Sequence, residues 1–167
     1  MASDSPRSQT AQHPMPRAFL SVPPKRVLFL CIHNSARSQI AEALAKSLAP
    51  AGTEIWSAGT EPSQVHPMAL EVMAEAGLEA GEQRSKHLDE VPIAEMDTIV
   101  SLCGEGEATC PAVNAAVRRV HWPLEDPSAA PASDRLRAFR ETRDELRWRI
   151  ACLWPAEHSG SGGTTAR

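Results

Sequence analysis

The sequence is poor in the features that membrane proteins and nucleic-acid-binding proteins need. Its longest apolar run, from Val27 to Ile32, has the length of a strand and falls far short of the roughly 18 apolar residues of a membrane span. Basic residues occur in nothing longer than a pair such as Arg118-Arg119, and the formal net charge is -4, whereas nucleic-acid binding requires a clustered basic face. We therefore expect neither a membrane nor a nucleic acid as a partner.

The cysteines do not follow the spacing of a zinc site, because no two of them are separated by two residues and no compact Cys/His set accompanies them. The first 24 residues are polar and interrupted by prolines, which is unlike the apolar core of a signal peptide. We therefore expect a cytoplasmic, reducing location, in which cysteines serve catalysis more often than structure. The four cysteines are Cys31, Cys103, Cys110 and Cys152.

A chain of 167 residues is long enough for one domain with a proper core. We expect a flexible extension over residues 1–24, a folded domain over 25–156 and a disordered tail, rich in Ser, Gly and Thr, over 157–167. We also expect the protein to be a monomer.

Hydrophobic periodicity within the domain predicts alternating strands and helices. Strands are predicted over residues 26–31, 54–58, 97–103 and 118–122. Helices are predicted over 37–49, 66–76, 88–95 and 133–153, the last capped by Ser133 or Asp134. This alternation favours an α/β fold with an open four-stranded parallel sheet, Rossmann-like, and helices on both faces. In such sheets, sites form at the carboxyl ends of the strands.

The segment from Cys31 to Ser38, CIHNSARS, follows a buried strand and leads directly into a helix. A loop in this place directs successive backbone N–H groups at one point, where the helix dipole adds partial positive charge. Arg37 adds a fork of donors that suits a tetrahedral oxyanion. The same field favours the thiolate of Cys31, which is the nucleophilic form. Ser38 can hydrogen-bond to that thiolate, and Asn34 tolerates the left-handed backbone of a sharp loop.

A single cysteine at the end of a strand is more often a buried packing residue than a catalytic one. Here, however, Cys is followed by five residues and then Arg-Ser, and the whole pattern lies between a strand and a helix, which favours catalysis. Over about residues 25–154 the chain resembles low-molecular-weight protein tyrosine phosphatases and their arsenate reductase relatives. The continuation from Arg37 to Glu42, RSQIAE, is similar to the reductase pattern R-S-Q-M-A-E, whereas phosphatases more often have R-S-P. The expected oxyanion-binding loop comprises Ile32, His33, Asn34, Ser35, Ala36 and Arg37.

Cys103 ends the third predicted strand, and Cys110 follows after a polar, glycine-containing stretch. Two incidental thiols are the alternative, but arsenate reduction takes two electrons and a dithiol that becomes a disulfide releases two. The resemblance to thioredoxin-coupled reductases implies that Cys31 attacks arsenic and that Cys103 then attacks Cys31, which releases arsenite. Cys110 next attacks Cys103, and thioredoxin or another small thiol reductant reduces that disulfide. Phosphate is the expected competing oxyanion, no cofactor is expected to be bound, and Cys152 is expected to be a small buried hydrophobe.

Asp126-Pro127 follows the fourth predicted strand and resembles the D-P motif whose Asp is the general acid of the family. An Asp before Pro is also common in ordinary turns, and Glu125 is the less favoured donor. A Tyr that grips phosphotyrosine commonly follows this motif in the phosphatases. Here Ser128 stands in its place, and the chain contains no Tyr.

Some related reductases bind potassium behind the loop through residues that match Asn34, Glu42 and Ser57, together with an Asp. Lys86 falls at or near the position of that Asp, and its ammonium can replace the ion and pair with Glu42. The alternative is an ordinary surface lysine. We therefore expect no metal ion to be required.

Two other functions remain open at this point. A low-molecular-weight phosphatase would use Cys31, Arg37 and Asp126 alone, and it is disfavoured by the Arg-Ser-Gln sequence, the second and third thiols and the absent Tyr. A non-catalytic protein that senses oxyanions or redox state would reuse the same fold without turnover.

Overall fold

The computed structural model describes residues 22–104 and 117–155. The described part contains four strands and three α-helices, which alternate except that the third and fourth strands follow each other without a described helix between them. The strands are β1 (Arg26–Cys31), β2 (Glu54–Gly59), β3 (Thr98–Ser101) and β4 (Arg118–His121), and the α-helices are α1 (Arg37–Leu48), α2 (Pro67–Glu75) and α3 (Arg135–Ala151). Three short 3-10 helices lie at Leu88–Glu90, Ile93–Glu95 and Pro127–Ala129. Most of the predicted extension and all of the predicted tail lie outside the described residues.

The strands form one parallel sheet in the order β2-β1-β3-β4. β1 lies in the interior of the sheet, and five of its six residues are buried. A continuous apolar run such as VLFLC is what a parallel strand needs when both of its faces are covered. The predicted α/β fold with four parallel strands is confirmed.

Alternate residues of β1 point to opposite faces of the sheet. Val27 and Phe29 pack in the larger apolar cluster, which includes buried side chains of all three α-helices. Leu28 and Leu30 face the smaller cluster, which is formed with residues from the 3-10 segment between β2 and β3. The predicted helices on both faces are therefore α-helices on one face and short 3-10 helices on the other.

Several predicted element bounds differ from the structure. The single helix predicted over 88–95 is wrong: two 3-10 helices are separated by Val91 and Pro92, because a proline disfavours helical backbone at the residue before it. α3 is shorter than predicted, and although Asp134 precedes it, its side chain makes no capping bond and pairs instead with Arg137 at 3.1 Å. β3 ends two residues earlier than predicted, which leaves Cys103 beyond the strand.

Both ends of the described chain are held against each other. Trp154 Nε1 donates a hydrogen bond to Pro24 O at 2.9 Å, and Pro24 is buried. Cys152 is 6% exposed and its thiol donates to Trp148 O at 3.3 Å, while burial raises the pKa of this thiol. Cys152 is therefore a small buried residue, as predicted. In the described ranges, no helix is long and apolar enough to cross a bilayer.

Candidate active site

The carboxyl ends of the strands bring the predicted site residues to one edge of the sheet. Cys31 ends β1, and Leu102 and Cys103 follow β3. Leu102 N donates to Leu30 O at 2.8 Å, so the β1–β3 pairing continues past the strand and carries Cys103 to the base of the Cys31 loop. Both thiols are 4% exposed. Asp126 reaches the same edge from the segment after β4.

The loop between Cys31 and α1 turns its carbonyl groups outward. Segments outside the loop donate to them: Glu61 N to Ile32 O at 2.9 Å, Ser63 N to His33 O at 3.2 Å, Gln39 Nε2 to Asn34 O at 3.0 Å and His66 N to Ser35 O at 2.9 Å. Since the C=O and N–H of a trans peptide point in opposite directions, the loop N–H groups face the interior of the loop. α1 begins after Ala36 without a side-chain cap from any described residue, so its first N–H groups also remain available to an anion.

β2 supports this loop from below through Gly59. A Cβ at Gly59 would lie 2.4 Å from Ile32 O and 2.8 Å from Asn34 N, so only glycine fits at this position without displacing the loop backbone. Gly59 N also donates to Lys86 O at 3.0 Å. Nothing in the local sequence around Gly59 indicates this close approach of the loop.

Asn34 and Ser38 form a buried polar chain that ends on the candidate nucleophile. Asn34 has φ 46°, the left-handed conformation predicted as tolerable there. Its Nδ2 donates to Ser38 Oγ at 2.8 Å and to Ser57 Oγ at 3.0 Å. Ser38 Oγ lies 2.8 Å from Cys31 Sγ, which is the contact predicted for this hydroxyl. All three polar side chains are fully buried.

Arg37 connects the loop to the chain segments beyond β3 and β4. It is 3% exposed, and its NH1 donates to Leu102 O at 3.4 Å and to Leu124 O at 2.9 Å. Its NH2 lies 3.9 Å from Asp126 Oδ2. The guanidinium therefore lies between the loop, the chain beside Cys103 and the predicted general acid.

Asp126 precedes the 3-10 helix at Pro127–Ala129, and its Oδ1 accepts hydrogen bonds from Ser128 N at 2.9 Å and from Ser128 Oγ at 2.7 Å. Partial burial by itself raises the pKa of Asp126, but these two bonds, the Arg37 guanidinium and the nearby His33 imidazole outweigh it and lower the pKa below its usual value. Asp126 is therefore a carboxylate at neutral pH when no oxyanion is bound.

These groups enclose a cavity of about 200 Å³. No Phe, Tyr or Trp is among the described residues that line it. His33, which is otherwise exposed, also lines it and donates from Nδ1 to Glu61 O at 3.0 Å. A small polar cavity with a thiol and a guanidinium suits a tetrahedral oxyanion. The lining residues are Cys31, His33, Ser35, Ala36, Arg37, Ser63, Asp126 and Ser128.

Behind the loop, the ion pair predicted between Lys86 and Glu42 is present at 3.4 Å. Lys86 Nζ lies 3.4 Å from Ser57 Oγ and 3.3 Å from Arg84 O, and Ser57 Oγ itself donates to Glu42. The Lys86 ammonium thus lies among oxygen atoms behind the loop, and the absence of a required metal ion stays a prediction. In the part of the chain that the structure describes, no three His, Cys, Asp or Glu side chains are grouped to hold a metal ion.

Comparison with known proteins identifies the family of this chain. Residues 26–157 match the family model of the low molecular weight phosphotyrosine protein phosphatases. The chain belongs to this family. Its curated relatives include an arsenate reductase of Halalkalibacterium halodurans, which is 38% identical over 128 residues, 75% of this chain and 92% of the relative.

Solved structures of the family show the same resemblance. One described as an arsenate reductase in the phosphate binding state has a TM-score of 0.67 and 35% identity, and the match covers 77% of this chain and 95% of that chain. A thioredoxin-dependent arsenate reductase of Corynebacterium glutamicum has a TM-score of 0.63 and 32% identity, with 81% of this chain and 62% of that chain covered. The resemblance to the arsenate reductases of the family, stated from the RSQ sequence, is confirmed.

The structure places all but one of the predicted site residues. Cys110 lies outside the described residues, so its position relative to Cys103 stays a prediction. The site residues that were not predicted include Gln39 and Gln83, which hydrogen-bond to each other beside the loop. Gln39 was visible in the sequence only as part of the reductase-like motif.

Proposed function

We propose that this protein reduces arsenate to arsenite with Cys31 as the nucleophile, and that an external thiol reductant, thioredoxin by preference, restores its thiols. The observation that carries the proposal is the second buried thiol, Cys103, two residues beyond β3, the strand that pairs with β1 beside the Cys31 loop. Phosphoester hydrolysis by Cys31, Arg37 and Asp126 needs no such thiol. The relatives named arsenate reductases support the same reaction.

Binding of the oxyanion rests on the loop and on Arg37. The inward N–H groups and the uncapped start of α1 supply donors and partial positive charge, and Arg37 supplies a full charge. The cavity of about 200 Å³ suits a small tetrahedral anion, and phosphate has the same shape and charge as arsenate. Phosphate is therefore the expected competitor.

In the first chemical step, the Cys31 thiolate attacks arsenic, so that an S–As bond forms and an As–O bond breaks. The departing group is a hydroxyl of the protonated arsenate, which takes a second proton from Asp126 and leaves as water. Asp126 acquires this proton when the oxyanion binds, because negative charge beside a carboxylate favours its protonated form.

In the second step, the Cys103 thiolate attacks Cys31 Sγ. The S–S bond forms as the S–As bond breaks, and its electron pair passes to arsenic, which leaves as arsenite in the +3 state. Cys110 then attacks Cys103 and releases the Cys31 thiolate, so the oxidation is carried by a Cys103–Cys110 disulfide. The external dithiol protein reduces that disulfide in turn.

The test is arsenate-dependent NADPH oxidation by purified protein with thioredoxin and thioredoxin reductase. Cys31→Ser, Cys103→Ser and Cys110→Ser should each abolish turnover. Cys152→Ser is the matched control and should retain it, because Cys152 is remote from the relay in the proposal. Replacing thioredoxin with glutaredoxin and glutathione, or with mycothiol, identifies the reductant.

The opposite result is equally clear. A wild-type protein that does not consume NADPH but hydrolyses p-nitrophenyl phosphate, with only Cys31→Ser inactive among the cysteine variants, is a phosphatase. A protein that binds phosphate but turns over neither substrate is a sensor of oxyanions.

A further inference from the structure

Gln39 is a polar side chain that is completely shielded from solvent at the start of α1. Its Nε2 lies 3.0 Å from Asn34 O, 2.9 Å from Asn34 Oδ1 and 3.0 Å from Arg84 O. Three acceptor oxygens on one side fix the orientation of this amide, because the reversed amide would place its oxygen against all three. Gln39 Oε1 in turn accepts from Gln83 Nε2 at 2.8 Å.

Gln39 thus binds both the backbone oxygen and the side-chain oxygen of Asn34. Asn34 is the one non-glycine residue with positive φ in the described ranges. Asn34 Oδ1 accepts from Gln39 Nε2 at 2.9 Å and from Lys86 N at 3.0 Å. Its Nδ2 must therefore point the other way, toward Ser38 Oγ at 2.8 Å. The left-handed backbone costs free energy in a non-glycine residue and persists only where its surroundings hold it.

The direction of the last hydrogen bond in this chain depends on the protonation state of Cys31. Ser38 Oγ accepts an N–H from Asn34 and still has a proton of its own to donate. Cys31 Sγ lies 2.8 Å away, and as a thiolate it has no proton and can only accept the one from Ser38. A hydroxyl that donates to sulfur stabilises the thiolate over the thiol.

We propose that Gln39 is a positioning residue for the nucleophile: it holds Asn34 in its left-handed conformation and so keeps the Ser38 hydroxyl pointed at Cys31, with Gln83 supporting Gln39 from behind. The proposal rests on the proposed role of Cys31. It gives the reductase-like Arg-Ser-Gln sequence a physical meaning, since a proline after Arg-Ser has no side-chain amide with which to hold the loop.

The experiment measures alkylation of Cys31 by iodoacetamide, followed on the Cys31 peptide by mass spectrometry, as a function of pH and of added phosphate. Gln39→Leu keeps nearly the same volume and removes the amide. We expect alkylation at pH 7 to be about tenfold slower, as for loss of one hydrogen bond to a charged acceptor. We also expect its pH profile to move upward and phosphate to protect Cys31 less.

Two further variants separate positioning from stability. Leu44→Ala removes buried apolar contacts from the same helix and should lower the melting temperature without changing alkylation. Gln83→Leu changes a half-buried residue, should fold normally, and should slow alkylation two- to threefold in the same direction as Gln39→Leu, by a rough estimate from a partial loss of the same contact.

Gln39→Leu and Gln83→Leu proteins that are alkylated at the wild-type rate with the wild-type pH profile would overturn the proposal. If Gln39→Leu does not fold, Gln83→Leu decides the question. The readout needs no arsenate, so this failure is distinct from that of the proposed reaction, which would show as a wild-type Cys31 that phosphate does not protect and arsenate does not oxidise.

Discussion

A methyl group added at Gly59 tests how closely the nucleophile loop depends on the sheet beneath it. The new Cβ would lie 2.4 Å from Ile32 O, whereas ordinary van der Waals contact begins at 3.4 Å. The three nearest atoms all belong to the backbone, so none can turn away as a side chain would. The loop must therefore retreat by about 1 Å in the Gly59→Ala protein, an estimate from the difference between these contacts.

A displacement of about 1 Å at a reacting group costs on the order of a hundredfold in rate, or about 2.7 kcal/mol of transition-state stabilisation. When the loop moves, its N–H groups no longer point at the same position, so they bind the oxyanion less well. We therefore expect kcat/KM for arsenate to fall about a hundredfold in Gly59→Ala, and phosphate to bind more weakly.

The assay is single-turnover arsenite formation by the reduced protein, with phosphate binding measured by calorimetry. Gly81→Ala is the matched control, because the same methyl group at Gly81 meets nothing within 4 Å, and it should behave as the wild type. A Gly59→Ala protein that folds, binds phosphate and forms arsenite as the wild type does would refute the close packing of Gly59 on the loop.

Three other changes have defined outcomes. Asp126→Asn should slow single-turnover arsenite formation by about 10²- to 10⁴-fold without weakening phosphate binding. Because the pKa of Asp126 is lowered from 3.8, its contribution to folding is present above that pH and is lost as the pH falls through the lowered value. Urea unfolding should therefore show wild type and Asp126→Asn converging in acid. Lys86→Met removes the buried one of two lysines that pair with Glu42, while Lys46 remains at 2.6 Å. It should cost about 1–2 kcal/mol in urea unfolding, less than the loss of a sole buried partner, while the wild-type stability should be the same in potassium and choline chloride. Arg37→Lys should weaken phosphate binding at least tenfold by calorimetry, since an ammonium cannot donate two parallel hydrogen bonds.

Features that repeat along a short stretch were predictable from the sequence. The buried run of β1 has the length and composition of an interior parallel strand, and its bounds were predicted to the residue. The Cys31 loop was predictable because Cys31 and Arg37 are separated by five residues and lie between a predicted strand and a predicted helix. The ion pair of Lys86 with Glu42 was predictable from the position of Lys86 in the family pattern.

Features that depend on contacts between distant segments were not predictable in this way. Glycine is required at position 59 because β2 passes under a loop that lies almost thirty residues earlier in the chain. No local sequence pattern indicates that these two segments are in contact. Gln39 and Gln83 are joined across more than forty residues, and each alone looks like an ordinary polar residue of a helix or a turn. The 3-10 segment before β3 carries apolar residues at helical spacing, but Pro92 interrupts it.

The central claim is that arsenate draws its two electrons from thiols of this chain, and thiol mapping tests it most directly. Fully reduced protein is mixed with one equivalent of arsenate without external reductant, quenched with acid and alkylated, and its disulfides are identified by peptide mass spectrometry alongside the arsenite formed. We predict one arsenite per protein with a Cys103–Cys110 disulfide in the wild type, and a Cys31–Cys103 disulfide in Cys110→Ser. Wild-type protein in which all of these thiols remain free and no arsenite appears, although phosphate binds, would contradict the account.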